Sequence, residues 1–328
     1  MIMISIKRIF ISIFVLNLII TGLRPSILLY NELRLLETSE LSSQSSEGIG
    51  QVDSIDLTVL CDNNPNGVLL DEWGVSMLIE TKDTTVLFDT GQSYTGLREN
   101  SLVLQKDLSR VDFVVISHEH WDHVGGLSYI EEVNPGVTVY VPANMDSQTF
   151  NNINQSNLNP IKITDTIIIQ PGFAIIGQLY GPPYEHALAV NVKGVGLVCI
   201  VGCSHPGVEN HVEKAIQDLG INAYMVIGGF HMTGADEQAI QNTIDRLLEL
   251  RLQKIYPIHC SGDLIRQYMA ENYPLQYGQA NIGFQITINS YTVNSLTYIV
   301  LISISSALVL LIIGWFTRKK LKLSKING

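Results

Sequence analysis

Residues 113–123 of the chain read FVVISHEHWDH, and their second half has the spacing H-x-H-x-D-H. The apolar run at 113–116 predicts a buried strand, and the end of a strand is where a rigid scaffold delivers side chains to a cleft. Imidazole and carboxylate groups together suit Zn²⁺, Fe or Mn²⁺. Three histidines and one aspartate at this spacing therefore favour a metal site over a polar surface loop.

The order of these side chains indicates room for two neighbouring ions. His118 and His120 alternate along the chain, so both can face the same ion. Asp122 and His123 follow in a turn and can face a second ion. The pair Gly125 and Gly126 then lets the backbone pass close by before it enters a helix.

The surrounding residues, 53–290, predict one domain of mixed strands and helices. Strand-like runs rich in Val, Ile and Tyr recur between turn residues. They are 55–61, 76–80, 85–88, 113–116, 138–141, 166–169, 189–192, 197–201, 224–227, 255–258 and 284–288. Apolar residues at helical spacing predict helices at 208–219 and 237–250, with a third candidate at 262–271. We expect two sheets packed face to face, with the helices outside.

Several motifs together resemble the metallo-β-lactamase fold superfamily. The H-x-H-x-D-H run is one of them, and VLFDTG at 86–91 resembles the strand-then-DTG signature of that superfamily. VGCSHPG at 201–207, IGGFH at 227–231 and PIHCSG at 257–262 resemble one branch, the 7,8-dihydropterin-6-yl-methyl-4-(β-D-ribofuranosyl)aminobenzene-5′-phosphate synthase-like proteins. The resemblance covers residues 55–290 and implies an α/β fold, a four-layer αββα sandwich with a binuclear metal site at one edge.

Carried over by position, the resemblance implies a set of metal ligands. His118 and His120 would bind the first ion. Asp122 and His123 would bind the second ion together with His259, which ends an apolar strand. Asp122 would also orient the attacking nucleophile, which makes it the candidate catalytic residue. The implied cofactor is a pair of divalent metal ions, with Zn²⁺ expected and Fe or Mn²⁺ as alternatives.

The remaining positions of the metal site stay open between alternatives. Cys203 stands where many superfamily members carry a bridging aspartate, and cysteine is an adequate ligand for zinc. His205 is the expected third ligand of the first ion, with His186 as the alternative. His231 either lines the cleft or is a histidine satisfied at a strand end. Asp89 either accepts the second N–H of a ligating histidine or forms a simple turn.

Two residues next to these motifs bear on redox chemistry and on substrate. Cys203 and Cys260 could form a redox pair instead of lying beside the metals, although both flank expected ligands. Trp73 stands where the branch is expected to have a histidine, which argues against a shared substrate.

The expected function is hydrolysis of a small molecule by a metal-activated water. No G-x-S-x-G elbow and no P-loop motif occurs in the sequence, so serine-hydrolase and nucleotide-triphosphatase mechanisms are not indicated. The alternatives are a transferase or synthase step of the kind that gives the branch its name, di-iron redox chemistry, and a sensor built on the same fold.

The C-terminal end predicts membrane attachment. Residues 296–316, LTYIVLISISSALVLLIIGWF, are uncharged and long enough to span a bilayer, which places a transmembrane helix at 294–317. The tail that follows, 318–328, contains only basic charges and is therefore predicted to be cytoplasmic.

The N-terminal end predicts either a cleaved signal peptide or a second anchor within residues 1–24. Lys7 and Arg8 precede a short uncharged run of the length found in signal peptides. A Ser- and Glu-containing linker is predicted at 25–52. Because cationic segments stay on the cytoplasmic side, the catalytic domain at 53–290 is expected outside the cytoplasm.

The charge of the chain is distributed unevenly. Its formal net charge is −11, from 20 Lys and Arg against 31 Asp and Glu. Seven of those cations lie in 1–8 and 318–328, so residues 9–317 carry 13 − 31 = −18. An acidic body lacks the positive footprint that phosphate backbones need, so no nucleic-acid partner is expected. The expected partners are a small-molecule substrate and the lipid bilayer.

Overall fold

The computed structural model describes residues 48–290. The predicted signal or anchor segment at 1–24, the transmembrane helix at 294–317 and the basic tail at 318–328 lie outside the described residues. So does most of the predicted linker at 25–52. Over the described range, every helix is too short or too polar to cross a bilayer.

The first sheet has seven strands among the described residues, in the order β13-β1-β2-β3-β4-β5-β6. They are β1 Ser54–Cys61, β2 Ser76–Glu80, β3 Thr85–Phe88, β4 Phe113–Val115, β5 Thr138–Pro142, β6 Asn159–Ile163 and β13 Gln285–Asn289. The pairs from β13 to β3 are antiparallel, and β3 to β6 run parallel.

The second sheet has six strands in the part of the chain that is described, in the order β12-β11-β10-β9-β8-β7. They are β7 Ile167–Gln170, β8 Phe173–Tyr180, β9 Tyr184–Val192, β10 Gly196–Val201, β11 Ala223–Gly229 and β12 Lys254–Ile258. The strands β10, β11 and β12 run parallel, and the other pairs are antiparallel.

Helices cover the outer face of each sheet. They are α1 Tyr94–Val103, α2 Trp121–Val124, α3 Leu127–Val133, α4 Ser147–Gln155, α5 Val208–Leu219, α6 Glu237–Glu249 and α7 Asp263–Asn272. Short 3₁₀ turns lie at Leu108–Arg110 and His259–Ser261. The first four helices pack on the first sheet and the last three on the second.

The side-chain pattern of the strands explains the four layers. In β10, Val198 and Ile200 face the other sheet, whereas Leu197, Cys199 and Val201 face the helices. Successive strand residues point to opposite faces, so a strand covered on both sides reads as a continuous apolar run. The two-sheet αββα sandwich predicted from the sequence is confirmed.

Some elements carry little hydrophobic signal and were not predicted. β6 contains Pro160 and is an edge strand, the position where a sheet tolerates proline. The helix α4 is rich in Asn and Gln, and its start is fixed by the Asp146 carboxylate, which accepts from Gln148 N and Thr149 N. Likewise, Ser93 Oγ caps α1 by accepting from Gly96 N.

The fold also extends a few residues before the expected domain start at 53. Ile49 is buried against the second sheet's helix-facing layer, and Val52 forms an isolated bridge with Val192. The last residues of the predicted linker therefore pack as part of the domain.

The parallel strands of both sheets end at the same edge of the sandwich. The histidine motif follows β4, Asp89 follows β3, and the segments at 203–205, 231 and 259 follow β10, β11 and β12. The carboxyl ends of parallel strands are where α/β folds bind ligands. This edge therefore holds the histidine motif together with Asp89, Cys203, His205, His231 and His259. The backbone of His186 also lies here, since His186 N donates to Ser117 O at 3.1 Å.

Candidate metal centre

The backbone at this edge is unusual. Four of the six described non-glycine residues with positive φ lie here: Asp89, Ser204, His231 and His259. Such conformations cost energy and concentrate at functional sites, where the surrounding structure holds them in place. In each of the four, the left-handed conformation falls just after a strand end, which turns the chain toward the cleft.

One group of side chains contains His118 and His205. Their ligand atoms and the Cys203 sulfur all lie within 4.8 Å of one another. The His120 ring lies next to them, with ring centroids 4.6 Å from His118 and 4.9 Å from His205. The structure thus brings together the three histidines expected to bind the first ion.

A second group contains Asp122, His123, Cys203 and His259, all buried and with ligand atoms within 4.8 Å of one another. Cys203 Sγ lies 3.2 Å from His123 Nε2 and 3.4 Å from His259 Nε2. Asp122 Oδ2 lies 3.3 Å from His259 Nε2. Asp122 and His123 stand on the short helix α2, so the expected turn after His120 is helical.

Cys203 also belongs to a third group, with His231 and Cys260. His231 is exposed at the edge of the cleft, and its ring centroid lies 4.5 Å from that of His205. Cys260 Sγ donates to the Cys203 carbonyl at 3.6 Å, and all four cysteines of the chain are free thiols. The sulfur of Cys203 is therefore the atom common to all three groups.

Asp89 lies behind His123 in the position that the sequence suggested. Its Oδ2 is 2.7 Å from His123 Nδ1, and its carboxylate accepts from Ser117 N and Ser117 Oγ. Burial alone lowers the pKa of His123, but the charge of Asp89 raises it to about 9. A carboxylate in this place fixes the ring so that Nε2 points at the cluster.

Glu185 supports the first group as Asp89 supports His123, and the sequence analysis did not predict this role. Its carboxylate accepts from Ser204 N and His205 N and lies 3.0 Å from His205 Nδ1. Burial raises the pKa of Glu185, but the His118 and His205 rings more than offset this and hold it well below its usual range. The available signal was an acid inside the apolar strand β9.

His259 is supported from β1, a second contact that the motifs did not reveal. His259 N donates to Asp62 Oδ1 at 2.8 Å, and Asn63 Oδ1 lies 3.2 Å from His259 Nδ1. Asp62 follows an apolar strand in the same way as Asp89 does, and that parallel was the signal for it.

His186, the alternative ligand for the first ion, does not join any of these groups. It follows Glu185 on β9, where successive side chains point to opposite faces of the sheet. Because Glu185 points to the cluster, His186 points away from it. The histidine is fully buried, which lowers its pKa to about 3. The structure favours His205 over His186 on this geometric ground.

The chemistry of the cluster fits metal ions. His118 Nε2 is buried and has no hydrogen-bond partner among the described residues, although it lies in the cluster. A buried polar atom without a partner is costly unless something binds it. In addition, the buried carboxylates of Asp89, Asp122 and Glu185 are paired with histidines. Bound cations would offset the negative charge of this buried cluster. Nitrogen, sulfur and carboxylate donors together suit zinc.

Comparison with known proteins agrees with this fold. Residues 74–175 match the model of the metallo-beta-lactamase superfamily. The match to this domain covers residues 74–175, and the two-sheet sandwich described above is the fold of that superfamily.

The most informative relative is the 7,8-dihydropterin-6-methyl-4-(beta-D-ribofuranosyl)-aminobenzene-5'-phosphate synthase of Methanocaldococcus jannaschii. It is 27% identical over 285 residues, which cover 72% of this chain and 97% of the relative. The branch resemblance predicted from the sequence is confirmed.

Two solved structures share the fold. Tm1679, a metal-dependent hydrolase of the beta-lactamase superfamily, superposes with a TM-score of 0.62 at 23% identity and covers 72% of this chain and 99% of its own. The metallo-beta-lactamase fold protein YhfI from Bacillus subtilis superposes with a TM-score of 0.56 at 15% identity. The superposition covers 72% of this chain and 100% of YhfI.

We expect Asp89→Asn and Glu185→Gln each to weaken Zn²⁺ binding about 10- to 100-fold, because each removes the partner that orients a ligating histidine. Zn²⁺ affinity measured by competition with a fluorescent chelator checks this. Asp83→Asn, in an exposed turn, is the matched control and should bind as the unmodified chain does. Unchanged affinity in both variants would contradict the supporting role.

Proposed function

We propose that the chain is a metal-dependent hydrolase that acts on a small molecule at a two-ion centre. The observation that supports this proposal most is the position of Cys203. Its sulfur lies within 4.8 Å of the ligand atoms of both the first and the second group. One group is formed by His118 and His205 beside His120, and the other by Asp122, His123 and His259. In this proposal each group holds one ion and Cys203 serves both.

Divalent metal ions bound there supply Lewis acidity, which lowers the pKa of water to about 7 and yields a nucleophile at neutral pH. Asp122 is placed to orient that water. Burial raises the pKa of Asp122, but the hydrogen bond to His259 and the charge of His123 outweigh this effect and leave the pKa below its usual value. The carboxylate of Asp122 therefore stays ionised. An ionised carboxylate accepts a hydrogen bond and thereby fixes the direction of attack.

The support of the cluster is built before any substrate arrives. Asp89, Glu185 and Asp62 hold three of the histidine-bearing loops by hydrogen bonds of 3.0 Å or less. Polar groups fixed in this way need little reorganisation during the reaction. His231, at the exposed edge of the cleft, is placed to contact a bound substrate.

We expect the double variant His118→Ala, His120→Ala to lose one ion per chain and all hydrolytic activity, because it removes two of the ligands of one ion. Asp122→Asn should lower kcat about 100-fold or more. Metal content by elemental analysis and turnover in a screen of phosphoesters, lactones and thioesters provide the measurements. His186→Ala is the control and should keep its metal. Full metal occupancy in the double variant would refute the assignment.

Cys203 gives an optical test of the shared ligand. Loaded with Co²⁺, the chain should show a thiolate-to-metal charge-transfer band that Cys203→Ala abolishes and Cys199→Ala keeps. Cys203→Asp should restore metal binding without the band, since carboxylates also bind such ions. A band that persists in Cys203→Ala would show that this sulfur is not a ligand.

A synthase-like reaction is the second candidate, and the relative from Methanocaldococcus jannaschii favours it, since the similarity spans 97% of that protein. Trp73 replaces an expected histidine beside the cluster, which supports hydrolysis of a different substrate instead. Product analysis with and without a nucleophilic acceptor separates hydrolysis from group transfer. Elemental analysis after anaerobic purification separates zinc from iron and so addresses the di-iron alternative.

We also propose that the domain is attached to the membrane and lies outside the cytoplasm, with the basic tail at 318–328 inside. The charge distribution of the two ends supports this orientation. Protease added to intact cells should then degrade the catalytic domain, whereas a cytoplasmic marker enzyme stays protected. Full protection of the domain in the same cells would reverse the orientation.

A further inference from the structure

Two side chains at the strand edge are not ligands in the two-ion centre. They are His231 and Cys260, which form the third group together with Cys203. The ligand atoms of this group all lie within 4.8 Å of one another, so the three side chains face one common space. Both cysteines are buried, whereas His231 is exposed at the edge of the cleft.

Hydrophobic packing does not account for the two cysteines of the third group. Buried cysteines usually act as small apolar residues, and Cys61 and Cys199 do so as members of core clusters. Cys203 and Cys260 belong to none of the three core clusters that the described residues form. The Cys260 thiol donates to Cys203 O at 3.6 Å, but a thiol is a weak donor. The two sulfurs therefore lie among histidines and not in the apolar core.

The end of β11 leaves room for the Cys260 sulfur. Gly229 stands there, and a Cβ at this position would lie 2.6 Å from Cys260 Sγ and 2.6 Å from Gly202 O. Glycine therefore lets the sulfur lie against the end of the strand. The loop that carries Cys203 is tied to the same point. Gly229 N donates to Gly202 O at 2.7 Å, and Ser204 Oγ donates to Gly229 O at 2.8 Å.

The loops of His231 and Cys260 are also joined to each other. Met232 N and Thr233 N both donate to Cys260 O at 3.1 Å, and Thr233 Oγ1 donates to the same oxygen at 2.8 Å. His231 has a φ of 50°, a conformation that the surrounding structure must hold in place. The three loops are therefore fixed relative to one another before any ion binds, which lowers the entropic cost of binding.

The spacing of the three ligand atoms suits a metal ion. Zinc lies about 2.3 Å from a thiolate sulfur and about 2.0 Å from a histidine nitrogen, so two ligand atoms of a tetrahedral site are about 3.3 to 3.8 Å apart. Atoms within 4.8 Å of one another need to move little to reach that separation. A disulfide would bring the sulfurs of Cys203 and Cys260 to about 2.0 Å, and both are free thiols.

We propose that Cys203, His231 and Cys260 bind a third divalent ion, Zn²⁺ or Cd²⁺, at the exposed side of the two-ion centre. The inference rests on the proposed function, since Cys203 is then a ligand of all three ions. A thiolate can bridge ions because its sulfur carries several lone pairs, and thiolates select soft metals. Three protein ligands leave one position of a tetrahedral ion open, as in catalytic zinc sites. That position is available to water or to an anionic group of a substrate.

The third ion binds after the other two, because it has fewer protein ligands than either of them. The Co²⁺ experiment described above, carried out with two ions per chain, therefore reports on Cys203 alone. Cys203→Ala leaves only His231 and Cys260 in the third group. This variant should consequently lose the third ion as well.

The test counts the Cd²⁺ ions bound to the full chain, kept reduced in detergent micelles. Equilibrium dialysis gives the number of ions, and ultraviolet charge-transfer absorbance reports the cadmium–thiolate bonds. We expect three ions on the unmodified chain and two on Cys260→Ser, with lower thiolate absorbance. His231→Gln should also bind two ions, and its exposed position means that the substitution leaves the core intact. Cys199→Ala, in the apolar layer of β10, is the matched control and should bind three.

The number of ions separates the two proposals. Two ions on the unmodified chain, or three on both Cys260→Ser and His231→Gln, would overturn the third site and leave the two-ion centre standing. Fewer than two ions on the unmodified chain would refute the proposed function itself, and the third site with it.

A redox pair of Cys203 and Cys260 is the competing outcome. In that case the chain purified in air contains a disulfide between them, which mass spectrometry detects after the remaining thiols are alkylated. Such a disulfide, together with only two Cd²⁺ ions bound after reduction, would overturn the third site in favour of the redox pair.

Discussion

The pairing of buried carboxylates with histidines is the constraint on which the site depends. Asp89 with His123 and Glu185 with His205 are the clearest cases, at 2.7 and 3.0 Å. A carboxylate buried alone would be costly, and so would a charged imidazole, but together they fix which ring nitrogen faces the cluster. The apolar core of the sandwich holds the strands in place. These carboxylate–histidine pairs fix the positions of the loops that follow the strands.

Much of the fold could be predicted from the sequence because β10 and its neighbours are covered on both faces and read as continuous apolar runs. The histidine motif was equally legible, since its ligands stand within one short stretch. Elements that depend on a capping hydrogen bond or on an edge position had a weaker hydrophobic signal in the sequence. The helix α4 begins at the Asp146 cap and has only Phe150 and Ile153 as large apolar residues, and the strand β6 tolerates Pro160 at an edge.

The supporting residues were harder to find for a reason of geometry. Glu185 acts on His205 across 20 residues, and Asp62 acts on His259 across 197, distances at which no sequence spacing is informative. Trp73 was visible in the sequence only as a departure from the branch pattern. Its contact with the His259 ring gives that departure a location, beside an expected metal ligand.

The distance in sequence between Asp62 and His259 has a consequence for when the proposed metal centre could be loaded during folding. The first strand and the last parallel strand must both be in place before His259 is oriented, so the site has high contact order. A partly synthesised or partly folded chain has the H-x-H-x-D-H run but lacks the finished cluster. Ions that bind only the completed site stabilise the folded state by mass action, and metal loading then reports that folding is complete.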